Sequence, residues 1–288
     1  MLDKIKSDLK ELDEQEIKNQ AFKQVKGLLK SFNRFSHKGN RGHAAIFAGS
    51  HGMMGAAILS TKAAMKSGVG KVSAIVPERY FELLHITTPE ALAVKNDSII
   101  NFESFNSIAV GPGIGNEILT IALIEKIFSS NTSLVLDADM LNYLSHNPSL
   151  INLIPKNAIL TPHLKEWERL WGNAENDKIR ILKTQDICEE YGFFVLIKGH
   201  ISSLVTPSRE VLFNATGNAG MAKAGSGDVL TGLLAGILAQ GYNVRDAGIL
   251  GMYIHGYAGD IARELFGENA MTPSDQINQF GTAFGNLF

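Results

Sequence analysis

The sequence predicts an α/β fold, a three-layer α/β/α sandwich around a central, mostly parallel sheet. Two observations carry this. Short apolar runs of buried-strand type alternate with helical stretches through most of the chain, an order that specifies parallel strands with helices on both faces. Several runs also end in glycine-rich or polar turns that open onto a helix, as at residues 49–55 and 111–115; open parallel sheets bind ligands beyond the carboxyl ends of their strands.

Composition bounds the rest. The 288 residues are 45% hydrophobic and 19% charged, enough for one large core, and one domain is expected. A net charge of −2 provides no general attraction to nucleic acid or anionic lipid, so any phosphate binding comes from local geometry. Cys188 is the only cysteine; it reads as a buried thiol, excludes an internal disulfide and fits a reducing cytoplasm. The mixed charges of the first eight residues are not those of a targeting peptide. The longest apolar stretch, around residues 229–239, falls short of the roughly twenty residues that cross a bilayer, so neither a membrane nor a nucleic acid is expected as a partner.

Residues 3–31 place apolar side chains at helical spacing among many Lys and Glu and predict one or two amphipathic helices. We assign residues 1–36 to a leader without chemistry of its own and residues 37–288 to the main domain. The first strand is Ala44-Ala45-Ile46-Phe47-Ala48, followed by a glycine turn over residues 49–55 and a small-residue helix over 56–67. That turn has neither the dinucleotide fingerprint nor the Gly-Lys-Ser/Thr of a P-loop; close helix packing and a substrate loop both remain open for it.

Residues 71–76 form the second strand, and 79–85 a helix. We expect 86–106 to be irregular, 107–110 a strand ending in Gly111-Pro112-Gly113, and 116–129 an acidic helix. The strand at 134–136 delivers Asp137 and Asp139, which suit either a magnesium ion held through water or a helix cap. The strand at 158–160 presents Thr161-Pro162-His163, with Glu166 three residues on and so on one helix face; His163 alone reads as structural or as a ligand contact. A charged helix over 176–191 precedes the strand at 193–197, whose end places the charge of Lys198 in the crevice, where a phosphate would neutralise it. Residues 202–206 and 210–213 read as a hairpin. A long helix over 244–265 carries His255, read as structural, and Thr272-Pro273-Ser274-Asp275 is a helix start.

Residues 217–240 organise the chain. Gly225-Ser226-Gly227 can turn several amides toward one point, and the apolar helix that follows adds its dipole. Asp228, beside that anion site, is either a helix cap or a general base that deprotonates a hydroxyl attacking a phosphoryl group.

Taken in order, Lys38-Gly39 to Gly42, Ala48-Gly49-Ser50 with Gly52-Met53 and Gly55-Ala56-Ala57, Gly111-Pro112-Gly113, Asp137-Ala138-Asp139 with Leu141-Asn142, Thr161-Pro162-His163 with Glu166, Lys198-Gly199, and Gly217-Asn218 to Gly227-Asp228 resemble the ADP/ATP-dependent NAD(P)H-hydrate dehydratases of the ribokinase-like superfamily. The resemblance covers about residues 37–285. It implies a ribokinase-like sandwich and repair of a hydrated cofactor, (6S)-NADHX or (6S)-NADPHX. A phosphoryl group of ADP or ATP would be moved to the ring hydroxyl, with Mg2+ assisting, and phosphate then expelled. Carried over residue by residue, Asp228 would be the base and Gly225, Ser226 and Gly227 the amide cradle. Lys198, Gly199, His200, Ile201 and Ser202, with Gly227, would hold the nucleotide. Ala56, Gly113, His163 and Asp228 would contact the hydrated dinucleotide, and Glu166 and Asp137 would organise magnesium through water.

The chain departs from the family pattern in having Ser226 for Thr, Ala219 for Pro, Ala224 for Gly, and Leu164-Lys165 for Pro-Gly. Ser226 keeps the hydroxyl and the turn, whereas Ala224 narrows the loop's freedom. The resemblance also implies a homo-oligomer, a tetramer being one form, and an NAD(P)HX epimerase as functional partner. Residues 1–36 are too short for that epimerase, which is expected on a separate chain or else absent. Two other readings use the same fold: a kinase for a vitamin or sugar alcohol, and a nucleotide-binding module with an idle base.

Overall fold

The computed structural model describes residues 5, 7–97, 100–115 and 119–287. The chain enters through a 3-10 turn at Leu9–Glu11 and helix α1 (Glu14–Val25), whose N-cap Asp13 accepts from the amides of Gln15 and Glu16. An α/β alternation then runs through β1 (His43–Phe47), α2 (Met54–Met65), β2 (Lys71–Val76), α3 (Phe81–Thr87), β3 (Leu92–Lys95), β4 (Ser107–Val110), α4 (Ile121–Phe128), β5 (Ser133–Leu136), α5 (Asp139–His146), β6 (Ala158–Leu160), α6 (Leu164–Trp171), α7 (Asp177–Tyr191) and β7 (Phe194–Ile197). The hairpin β8 (Ser202–Val205) and β9 (Val211–Asn214) follows, then α8 (Ser226–Ala239), α9 (Val244–Phe266), α10 (Pro273–Asn278) and α11 (Phe280–Gly285).

Among the described residues, nine strands form one sheet in the order β3-β2-β1-β4-β5-β6-β7-β8-β9. Pairs from β3 to β7 are parallel; β8 and β9 are antiparallel, with Val195 opposite Val205 and Ser203 opposite Phe213. The side-chain period of two divides each central strand between two cores. Ile46, Ala109, Val135 and Leu196 join the helices α2, α8 and α9 on one face, while Phe47, Ile108, Leu136 and Val195 join α4, α5, α6 and α7 on the other. That is the three-layer sandwich the alternation of elements predicts.

One stretch differs from expectation. Residues 86–106 contain β3, which extends the sheet past β2, and a 3-10 turn at Phe102–Ser104. Leu92 and Lys95 are exposed and the two residues between are only half-buried, so this edge strand lacks the apolar signal of a central one. The expected acidic helix over 116–129 is shorter: Thr120 caps α4 through the amide of Leu123, and residues 116–118 lie outside the described residues.

The sheet sets the position of α8 through its packing on α2. A Cβ at Gly232 would lie 1.9 Å from the carbonyl oxygen of Ser60, and one at Gly236 would lie 2.0 Å from Ser67 Oγ. Only glycine admits that approach, which holds α8 against α2 and its N-terminus at the carboxyl ends of the strands. No helix among the described residues is long and apolar enough to cross a membrane.

Candidate active site

Polar residues at the carboxyl ends of the parallel strands converge where α8 begins. Lys198, just after β7, donates from Nζ to Asp137 Oδ1 at 2.7 Å and lies 3.8 Å from Glu166 Oε2. Thr231 Oγ1, on α8, donates to Asp137 Oδ2 at 2.6 Å. Both oxygens of a carboxylate only 1% exposed are thus engaged. Burial alone would lower the pKa of Lys198, but the charges of Asp137, Glu166 and Asp228 reverse this and hold it above its ordinary value; the ammonium stays charged.

Asp228 has no comparable partner. Among the described residues its carboxylate makes no hydrogen bond or ion pair. The N-cap of α8 is Gly225, at φ 98°, with no side-chain cap bond, so Asp228 does not cap its helix. Burial first, and the negative charge of Asp137 second, raise its pKa to about 6 against the opposing charge of Lys198. An unengaged carboxylate of that basicity is ionised at neutral pH and accepts a proton more readily than an ordinary aspartate.

The amides of Gly225 and Gly227 take no hydrogen bond among the described residues, whereas that of Ser226 reaches the Lys223 carbonyl at 3.3 Å. Two free amides at the mouth of α8, with the ammonium of Lys198 nearby, would suit an anion. A Cβ at Gly227 would sit 3.2 Å from Lys198 Nζ, so glycine there keeps the approach open. Behind the loop, His255 from α9 is pushed down to about 4 by burial; neutral, it donates from Nε2 to the Ser226 carbonyl at 2.9 Å. Reading His255 as structural from sequence is consistent with this contact, but the loop it holds was not legible.

The glycine turns after β1 and β4 interlock. Ser50 Oγ donates to the Gly113 carbonyl at 2.9 Å. A Cβ at Gly113, which has φ 58°, would lie 3.0 Å from the Cβ of Ala56 and 2.8 Å from the Met53 carbonyl oxygen. The structure therefore brings Ala56 and Gly113 together. Of the two readings open for the turn, the contacts show the close packing.

His163 is the N-cap of α6, in a capping box: its Nδ1 accepts from the Glu166 amide at 3.1 Å, and Glu166 Oε2 accepts from the His163 amide at 2.8 Å. The parallel bridge of His163 with Lys198 sets the imidazole, half-exposed, beside the ion pair. The two aspartates after β5 separate in role. Asp137 joins Lys198, while Asp139 Oδ2 accepts from the Gly115 amide at 3.0 Å; neither caps α5, whose N-cap Ala138 offers no side-chain bond. Ala138, between them, sits at φ 48°, a conformation that costs on the order of 1–3 kcal/mol, and the two aspartates on either side of it take different partners.

Lys198, Gly199, His200 and Ile201 line a cavity of about 270 Å³ with Leu164, Asp177 and Arg180. Neither Ser202, the first residue of β8, nor Gly227 is among its lining residues. Asp8, Leu9 and Lys10 complete that wall, although sequence assigned the leader no chemistry. No group of three or more His, Cys, Asp or Glu side chains among the described residues is arranged to hold a metal ion.

A family model for NAD(P)H-hydrate dehydratase matches residues 44–280. The ADP-dependent (S)-NAD(P)H-hydrate dehydratase of Neisseria meningitidis serogroup B is 38% identical over 239 residues, covering 81% of each chain. The bifunctional NAD(P)H-hydrate repair enzyme Nnr of Moorella thermoacetica is 33% identical over 87% of this chain, which spans 51% of that longer relative. The crystal structure of the ADP/ATP-dependent NAD(P)H-hydrate dehydratase from Bacillus subtilis, co-crystallised with ATP and Mg2+, superposes with a TM-score of 0.82 at 26% identity, covering 93% of this chain and 97% of that one.

Proposed function

The chain belongs to the NAD(P)H-hydrate dehydratase family, and from that premise we propose that it restores NAD(P)H from (6S)-NAD(P)HX with ADP or ATP as phosphoryl donor, Asp228 acting as the base. The observation that carries the residue assignment is the unengaged Asp228 carboxylate, raised to about 6, beside the free amides of Gly225 and Gly227.

Hydroxide is a poor leaving group and phosphate a good one, so a kinase-like step solves the dehydration. Asp228 takes the proton of the ring hydroxyl as its oxygen attacks the terminal phosphorus of the nucleotide. Gly225 and Gly227 amides, with the hydroxyl side chain of Ser226 at the same turn, receive the phosphoryl oxygens as charge develops. Lys198 supplies the fixed positive charge, held in place by Asp137 rather than free to follow the nucleotide. The ring nitrogen then expels phosphate, which carries away the hydroxyl oxygen, and loss of a proton from the adjacent ring carbon restores the dihydronicotinamide. Ala56 and Gly113 form the wall for the hydrated dinucleotide, with the exposed edge of His163 facing the same crevice. Lys198 to Ser202 hold the nucleotide.

The donor set fits Mg2+ that arrives with the nucleotide. Asp137 is committed to Lys198 and Thr231, and Glu166 to the His163 amide; neither has the free coordination that direct ligation needs. Glu166 and Asp137 would orient water on a metal held mainly by phosphate oxygens, the usual magnesium arrangement. When bound, the ion would offset phosphate charge.

The chain itself is taken to act in the cytoplasm as a homo-oligomer, with an epimerase on another chain supplying the S epimer, and to divide into a leader (1–36) and a catalytic domain (37–288). The decisive assay incubates the protein with (6S)-NADHX, Mg2+ and ADP or ATP and follows absorbance of reduced nicotinamide. Return of NADH with stoichiometric phosphate supports the reading; phosphorylation of a vitamin alcohol without NADH would replace it by the kinase reading.

A further inference from the structure

The leader touches the nucleotide side of the site. Leu9 donates its amide to Asp177 Oδ2 at 3.2 Å, and the Lys178 amide donates to the Ser7 carbonyl at 2.9 Å. His200, within the predicted nucleotide stretch, meets Glu14 Oε1 through Nε2 at 2.8 Å. Ile5, Leu12 and Ile17 pack with Ile181, Ile201 and Phe213 in a small separate core. The leader is therefore anchored on three sides of the Lys198 to Ile201 loop, from the helix α7, from the loop itself and from the hairpin.

Between these anchors lies the 270 Å³ cavity, walled by Asp8, Leu9 and Lys10 on one side and by Lys198, Gly199 and His200 on the other. Arg180 lines the cavity, is 7% exposed, and has its terminal nitrogens on Asp177 and Glu168. The remaining lining mixes the apolar faces of Leu9, Leu164, Ile181 and Ile197 with the carboxylates of Asp8 and Asp177. Apolar walls beside the Asp8 carboxylate suit a nucleoside: base against the aliphatic side chains, a ribose hydroxyl donating to the acid.

We propose that residues 7–14 of the leader are part of the phosphoryl donor's binding site, with Asp8, Leu9 and Lys10 closing the pocket for the donor's nucleoside moiety. The inference rests on the reading that Lys198 to Ser202 hold the nucleotide. The triphosphate or diphosphate end would run past Lys198 toward Gly227, so the leader meets the donor away from the reacting atoms. A group in that position changes donor affinity and leaves the chemical step alone.

Two measurements on the full chain test this. Leu9→Asp places a charge on the apolar wall, and the KM for ADP and ATP is expected to rise by roughly ten- to a hundredfold, the range a buried leucine contact is worth. The KM for NADHX, and kcat at saturating nucleotide, should stay within twofold. Because that variant also loosens the leader, hydrogen exchange on the unaltered protein is the second measurement. Saturating ADP should slow exchange in residues 7–14 together with residues 198–201. Protection of 198–201 without any change in 7–14, or an unchanged nucleotide KM in Leu9→Asp, overturns the proposal while leaving the nucleotide reading intact. Absence of protection at both segments, with no response of NADHX turnover to ADP or ATP, overturns both.

Discussion

Lys198 and Asp137, 61 residues apart in sequence, meet at 2.7 Å in the crevice, and this pair divides the work of the site. Asp137 is spent on holding the ammonium, with Thr231 on its second oxygen, which leaves Asp228 as the nearby carboxylate without a partner. The negative charge of Asp137 also helps keep Asp228 basic. One carboxylate fixes a cation and the other accepts a proton, a separation of roles set by environment rather than by residue type.

Removing the base tests the second role. Asp228→Asn should lower turnover by about 10² to 10⁴, the range for general base catalysis, with nucleotide binding retained by calorimetry. The wild-type rate should also fall on acidification through about pH 6, because the ionised form is the active one. The linkage to stability has the opposite sense. A carboxyl raised in the folded state binds more protons there than when unfolded, so its penalty is fully present above about 6 and disappears as pH falls toward the ordinary carboxyl range. Asp228→Asn should therefore stabilise the fold at neutral pH by on the order of 1–3 kcal/mol, seen as a higher melting temperature.

The first role is tested by breaking the pair. Lys198→Met leaves Asp137 buried and half-satisfied, and the loss should be on the order of 3 kcal/mol in urea unfolding. Asp137→Asn in the same chain should recover part of that loss, since no bare charge remains. Lys198 also opposes the upward shift of Asp228. The acidic limb of any residual Lys198→Met activity should consequently move to higher pH; a limb that does not move would detach Asp228 from this cluster.

How much of this was legible in the sequence follows from what each feature depends on. The central strands were readable because β1, β4, β5 and β7 are mostly buried and, past their first residues, apolar. The edge strand β3 was not, since Leu92 and Lys95 face solvent and the pattern looks like a loop. Site residues at strand ends, such as Lys198 and Asp137, were readable by position, yet their mutual engagement was not, because spacing along the chain carries no information on pairing across three strands. The leader is the clearest case. Its helix was visible as an amphipathic pattern, but the bond from Leu9 to Asp177 spans 168 residues and depends on where the hairpin and α7 pack.

The crevice wall offers a more local test. Gly113 occupies φ 58°, and a Cβ there would meet the Met53 carbonyl oxygen at 2.8 Å and the Ala56 Cβ at 3.0 Å. Gly113→Ala should destabilise by about 1–2 kcal/mol from the left-handed conformation alone. It should also raise the KM for NADHX about tenfold or more while the KM for nucleotide holds, because that turn is the wall proposed for the dinucleotide and does not line the cavity beside Lys198. A matched rise in both constants would place Gly113 in general packing instead.

Metal removal separates a folded-state ligand from one that travels with the nucleotide. With Asp137 engaged by Lys198 and Thr231, and no metal-holding cluster among the described residues, the protein should gain little from Mg2+ alone. Its melting temperature without nucleotide should be the same in Mg2+ and in EDTA. Adding ADP or ATP with Mg2+ should raise that temperature by mass action, and EDTA should remove most of the rise together with turnover. A fall in melting temperature on adding EDTA to the nucleotide-free protein would mean that the carboxylates ligate a resident ion, and Asp137 would then have to leave Lys198 to do so. The double variant Lys198→Met with Asp137→Asn distinguishes the two arrangements: under the structure described here, its melting temperature is as indifferent to EDTA as that of the parent.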